Sequence, residues 1–500
     1  MVVVARNEIR LQYSGFAIFA AKLVSVVTGL VFQTMISRAT SKAEYGVWFN
    51  TSDVLAYFTL LMGVVPFWVM RYVARGKEGS VKTGLLANLA ISAVAFAGYL
   101  VFVPFIVASL GISQNYLPLY FVAALQIIEF YGINAFEACL QAFRPQTVGY
   151  GLLVQQVGKV VLGYFLIVRW GQPLFGAVVS VVVAFAAQLA YYYYVLADEL
   201  RKHAHWGYVK DWLKGSVLNV YNVVGNQLAA FIFIMLLMYG TEAGRGVFGA
   251  AYQIANVIAY SSFLAFALYP KLLAERNHED VTTALKMVMM FALPMTAGAV
   301  ALADSYVSIL NPSYRDAYIV LVVLAVDTLV SVVAGAFSSV LFGVENVDRE
   351  EVSFKKLLKS KLFAAFSLPY VHSAIALPTA YYVLRVYAYN DPLKAALSVS
   401  VINAVARLVT FTILCSLVRG MIRVKIPWES LSKYALASAV MGALMYVLPH
   451  PSRTSLTLLM TAVGGAVYLA LLMAMDKDAR ALPNVVFAEF FGKRKTAASP

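Results

Sequence analysis

Seven ionisable side chains fall near the middle of long apolar stretches: Lys22, Asp53, Glu129, Lys159, Asp327, His372 and Arg407. A charge is expensive in a bilayer core, so such groups normally face a bundle interior or a wet cavity and mark ion or substrate paths. The acids Glu129 and Asp327 suit a proton or sodium site, because a carboxylate in a low-dielectric cavity can load and unload a cation as the cavity changes sides. Asp53 and His372 could titrate in step with them. The bases Lys22, Lys159 and Arg407 suit an anionic head group such as a phosphate, whose desolvation fixed cations offset. The plainer alternative is neutralisation inside the bundle: Glu129 by Lys159, Asp327 by Arg407, Asp53 by Lys22, with His372 held by hydrogen bonds between Pro369 and Pro378. Snorkelling is the bland reading of Lys22, but it lies about 12 Å below the start of its stretch at 1.5 Å per residue. Asn219, Asn222, Asn226 and Gln227 form one polar stripe suited to sugar hydroxyls, or else to hydrogen bonds between helices.

The elements that must position these groups are membrane helices. Of the 500 residues, 61% are apolar and 13% charged, too few polar groups to cover a soluble globule of that size. Apolar stretches of roughly 20 residues, the length that crosses a hydrocarbon core, recur about fourteen times between Ser14 and Met475. The first four hundred residues also read as a repeat. Displaced by about 200 residues, Glu44-Tyr45-Gly46-Val47-Trp48 falls on Gly244-Arg245-Gly246-Val247-Phe248, and Lys22 falls on Asn222. With Tyr116 set on Tyr314, Glu129 falls on Asp327 at the same depth. Repeated halves in a polytopic membrane protein point to alternating access about a site at their interface. The expected organisation is a first lobe of six spans (1–196), a linker (197–215), a second lobe of six (216–418), two extra helices (419–475) and a polar tail (476–500) that carries Lys493-Arg494-Lys495 near its end.

The net charge of +14 follows from sidedness. Sorted by loop parity, about 28 of the 39 Lys and Arg lie on the side of both termini and about 8 on the other, the positive-inside bias of a protein with cytoplasmic ends. A basic inner face beside anionic lipid explains the charge without a nucleic-acid partner. The two cysteines, Cys139 and Cys415, make no disulfide framework. No Cys/His cluster of metal-ligand spacing and no phosphate loop is present, so no cofactor is expected beyond a coupling H+ or Na+. Gly244-Arg245-Gly246-Val247-Phe248-Gly249 fits a dinucleotide pattern on paper, but it has no strand before it and reads as a tight outer turn. Asp476-Lys477-Asp478 reads as a solvated helix end.

At the first helix pair, Ser14-Gly15 and then Ile36-Ser37-Arg38-Ala39-Thr40-Ser41-Lys42-Ala43-Glu44-Tyr45-Gly46, with Leu140-Gln141-Ala142-Phe143-Arg144 further on, the chain resembles the oligosaccharide-flippase (polysaccharide-exporter, Wzx-like) family. That family shares a superfamily with multidrug MATE exporters and the lipid II flippase. The resemblance implies an all-α fold of two six-helix lobes plus two helices, which twelve-span MATE exporters lack. It also implies a plasma-membrane protein that turns a polyprenyl phosphate- or pyrophosphate-linked oligosaccharide from the inner to the outer leaflet, with membrane lipids and glycan-assembly enzymes as partners. The expectation is a transporter and not an enzyme. The alternatives are a MATE-type drug or cation antiporter and, in another class, a membrane glycosyltransferase or ligase, against which the short outer loops count.

Overall fold

A chain this apolar can cross hydrocarbon only if every backbone polar group is satisfied within it. The computed structural model meets that demand with helices: 89% of it is helical, with no strand among the described residues. It describes residues 21–22, 24–262, 278–344, 361–420, 426–451, 453–476 and 480. The protein is a multi-pass membrane protein.

The first half holds α1 (Val24–Ala39), α2 (Lys42–Phe58), α3 (Val64–Ala74), α4 (Ser80–Ser109), α5 (Leu117–Ala123), α6 (Leu125–Phe143), α7 (Pro145–Gly163) and α8 (Pro173–Leu200). A short helix, α9 (Gly207–Gly215), leads to the second half. There lie α10 (Val217–Ala259), α11 (His278–Ala301), α12 (Ala303–Leu310), α13 (Tyr318–Val344), α14 (Lys361–Val386) and α15 (Pro392–Arg419). The last two helices are α16 (Trp428–Val447) and α17 (Thr454–Met475). Prolines open α7, α8 and α15, where the missing N–H is not needed.

Eight of the described helices are long and apolar enough to cross a membrane, or nine with one bent pair. That count is of the described residues alone: the first expected span is described mainly from Val24 onward and the eighth only to Ser262, and several of the other expected spans are broken or merged. The second expected span is cut between Phe58 and Val64. The ninth bends by 85° between α11 and α12. The seventh and eighth are joined in α10, whose 43 residues would run about 65 Å if straight. They do not run straight. At Thr241 the backbone takes φ 68° and ψ 167°, and the arms fold back so that the rings of Phe233 and Phe248 lie 5.2 Å apart. The stretch read as an outer turn, Gly244 to Gly249, is therefore helical, in the second arm of this hairpin.

The turn between α1 and α2 is built by Ser41. Its side chain accepts from the Glu44 N–H, and the Ser41 N–H in turn donates to the Glu44 carboxylate at 2.8 Å. This capping box aims α2 so that it crosses the second arm of α10 at Gly46 and Gly246. A methyl group at Gly46 would collide with the Glu242 carbonyl, and one at Gly246 with the Lys42 carbonyl. The contact is reciprocal, mate against mate, and only glycine lets two backbones approach so closely. Around it one apolar core runs through both halves, including Phe32, Tyr45 and Phe49 from the first and Val247, Phe248 and Leu310 from the second. A separate core joins α11 to the last hairpin through Met289, Met290, Tyr434, Met441, Tyr468 and Leu472.

Candidate functional site

Three of the seven charges, Asp327, His372 and Arg407, form one cluster in the second half. Asp327 and Ser331 lie four residues apart on α13, and Asn403 and Arg407 four apart on α15, so each pair shares a helix face. Arg407 Nε donates to Asp327 Oδ1 at 2.6 Å and Nη1 to Ser331 Oγ at 3.1 Å. His372, from α14, lies 3.1 Å from Asn403 Oδ1 through Nε2. Of the two fates open to Asp327, the geometry gives neutralisation by Arg407.

Its repeat mate is treated differently. Glu129 on α6 is only 6% exposed, and its Oε2 is buried without a hydrogen-bond partner. No ion pair joins it to Lys159 among the described residues, so that expected neutralisation is corrected. Lys159, on α7, places Nζ 5.2 Å from the ring centroid of Phe32 on α1. Two turns beyond Glu129 on α6 stands a further acid, Glu137, outside the seven: Gln188 Nε2 donates to its Oε1 at 3.2 Å and Tyr192 Oη donates at 3.0 Å. Eight residues separate Glu129 and Glu137, the spacing that would have placed both on one helix face.

Asp53 does not pair with Lys22. Its carboxylate takes both Nε and Nη2 of Arg245, at 2.7 and 2.9 Å, across the seam between the halves. The wrong partner came from sequence proximity; 192 positions separate the true ones. The amide stripe lies on the first arm of α10, where Asn226 Nδ2 donates to both oxygens of Asn222 at 2.9 Å and Gln227 Nε2 is buried without a partner.

The halves also meet at the Ser37 end of the bundle, through the residues that carry the family resemblance. Ser37 Oγ donates to the Leu310 carbonyl at 3.0 Å, and Asn311 Nδ2 donates to the Ser37 carbonyl at 2.7 Å. Arg38 donates to the carbonyls of Leu310 and Ile309, the last of α12, and to Thr454 Oγ1 on α17.

A cavity of about 1130 Å³ opens beside this joint, along α1. Val27, Leu30, Val31, Thr34 and Arg38 form one wall. Opposite stand Pro294 and Met295 of α11, Met441 and Met445 of α16, and Leu458, Gly465 and Leu469 of α17. The lining is almost wholly apolar, with Arg38 as its charged residue at the Ser37 end. Lys22, Lys159 and Arg407 do not line it, so the three bases are not gathered around this cavity. The opposite side of α1 packs on α7, where Thr28 Oγ1 donates to Gln156 at 3.2 Å and Gly163 abuts Phe32.

No family profile matches the sequence, and no curated protein is similar to it at a significant level. Solved structures are similar. The lipid II flippase MurJ in an inward closed conformation superposes with a TM-score of 0.64 at 13% identity, over 92% of this chain and 99% of that one. An inward-facing multidrug MATE transporter of the MOP superfamily gives 0.61 at 14%, over 79% and 95%. The fold resembles that of the MOP-superfamily transporters. A MOP-superfamily transporter from Pyrococcus furiosus, described as having a binding pocket of reverse polarity, gives 0.54 at 17%, over 82% and 95%.

Proposed function

We propose that this protein is a flippase that moves a polyprenyl phosphate- or pyrophosphate-linked oligosaccharide from the inner to the outer leaflet by alternating access of two six-helix lobes. The observation that carries the reading is the apolar groove. Its far wall is α17, whose groove-lining stretch from Thr454 to Leu469 runs about 22 Å. An apolar channel of that length against lipid suits a prenyl chain, because burying methylene groups is favourable at roughly 0.8 kcal/mol each. A small hydrophilic drug gains nothing from it. The share of this chain matched also rises from 79% for the MATE transporter to 92% for the lipid II flippase, in keeping with a last hairpin that takes part in transport.

In this reading the basic side, with both termini, is cytoplasmic. The Ser37 end is then outermost, and the structure is a state closed to the outside. Lys22 and Lys159 hold the phosphate end, and the amides Asn222 and Asn226 face the sugar. Arg407 is committed to Asp327 and serves structure. Glu129, whose Oε2 has no hydrogen-bond partner among the described residues, is the coupling site for H+ or Na+, and the gradient supplies the energy. Glycan-assembly enzymes deliver the substrate at the inner face of the cell membrane.

The test is transport of a labelled polyprenyl-pyrophosphate oligosaccharide across proteoliposomes, with and without an acceptor sugar. Movement without acceptor supports the flippase and defeats a glycosyltransferase or ligase. Lys22→Ala is expected to abolish export of the cell's lipid-linked glycan at unchanged protein level; full export by that variant removes Lys22 from the mechanism. The second reading, a MATE-type antiporter, is favoured by the likeness to the MATE transporter. Efflux of organic cations from the same vesicles, with no movement of the lipid, would establish it instead.

A further inference from the structure

We infer that the Asp53–Arg245 ion pair is the latch of the outer gate, the contact that keeps the two halves closed at the Ser37 end and that each cycle must open. The inference rests on the alternating-access reading, and its test is chosen to stand apart from any transported substrate.

Two ion pairs join intramembrane charges among the described residues, and they differ in what they join. Asp327 and Arg407 lie on α13 and α15, both in the second half, so a motion of one half against the other leaves that pair intact. Asp53 lies on α2 and Arg245 on the second arm of α10, so the same motion pulls acid from base. The geometry is bidentate and desolvated: the side chains are 14% and 7% exposed. The Arg245 guanidinium sits 4.8 Å from the ring centroid of Phe49 and 5.0 Å from that of Phe233, one aromatic from each half.

The setting restricts how the pair can part. It lies two turns along α2 from the Gly46–Gly246 crossing, where main chain meets main chain. Sliding there drives a backbone carbonyl into a helix, so the helices must separate to move. A buried pair adds little net stability, since desolvation offsets attraction, yet losing one partner leaves a stranded charge at high cost. Such a contact holds firmly while both members are present, and both become solvated together once a cavity opens between them. That combination suits a joint that closes completely and still opens on the timescale of transport. It also explains why a guanidinium stands beside two glycines: the glycines set the approach, and the ion pair sets the register.

The test uses the full chain with Cys139→Ala and Cys415→Ala, carrying Ser37→Cys and Asn311→Cys, positions already joined by a 2.7 Å hydrogen bond across the gate. The rate of linkage by a short bis-methanethiosulfonate reagent in native membranes reports the closed population. Asp53→Asn and Arg245→Gln are each expected to slow linkage about tenfold, and the exchanged pair Asp53→Arg with Arg245→Asp to return it to within about twofold of the parent. Single variants that link at the parent rate overturn the proposal, and so does an exchanged pair as slow as the singles. Where a single variant fails to accumulate, the exchanged pair decides alone: parent-rate linkage upholds the latch, and a tenfold loss or absence from the membrane defeats it. Transport of the lipid-linked glycan is measured separately on the same background. A working latch in a protein that moves no such lipid would sink the flippase reading and spare this one.

Discussion

At the scale of single residues, what separates the intramembrane charges is company. Glu129 and Asp327 are repeat mates of nearly equal burial, 6% and 7% exposed, yet Asp327 has an arginine and Glu129 has none among the described residues. Arg407→Ala should strand the buried Asp327 carboxylate and lower the midpoint of thermal unfolding in detergent, by less than breaking a fully buried pair would, because Arg407 is 35% exposed. Lys159→Ala removes no ion-pair partner and should leave that midpoint within about a degree. Glu129→Gln, which fixes a neutral side chain, should leave folding intact and make transport indifferent to the imposed ion gradient; a gradient response equal to the parent's would remove Glu129 from coupling. The sequence told where these charges sit along the chain, because helix length and apolar context are local properties. It could not tell who meets whom. Asp53 finds Arg245 across 192 positions, and Glu137 is held by Gln188 and Tyr192 of α8, more than fifty positions away.

At the scale of elements, glycines sort into those that a side chain would break and those that it would fill. Gly46→Ala and Gly246→Ala each drive a methyl into main chain of the other half, so either should sharply reduce folded protein, scored by monodisperse elution from membranes. Gly465 lines the groove and has nothing within 4 Å of where its Cβ would stand. Gly465→Phe should therefore fold normally while occupying the groove, and slow movement of long-chain lipid-linked sugar at least tenfold with little effect on a short-chain analogue. Equal slowing of both would take the prenyl chain out of the groove. Helical periodicity made the helices legible but not their breaks. Thr241 is a β-branched residue at positive φ, a conformation that no local preference announces, and the 85° bend between α11 and α12 falls beside an ordinary leucine. The glycines around Arg245 suggested a loop because glycine is common in turns. Here the same residue serves close packing, which only the partner helix reveals.

At the scale of the whole molecule, the two halves share an apolar core while the linker helix α9 stays with the first. Trp212 is fully buried against α3, and Trp68 Nε1 donates to Ser216 Oγ at 2.9 Å. Cutting the chain in the exposed segment after Arg201 and expressing 1–201 with 202–500 should still give a complex that co-purifies, because the contacts at Ser37, Gly46 and Asp53 do not need the peptide bond between the fragments. Independent elution of the two pieces would show that the linker, not the seam, holds the bundle. The repeat legible in the sequence acquires a physical meaning at that seam. Gly46 rests against the carbonyl of Glu242 and Gly246 against that of Lys42, so the joint looks the same approached from either side. A polypeptide of half this length, bearing one copy of the turn, would already own both faces of the bond and could pair with itself before any gene doubled.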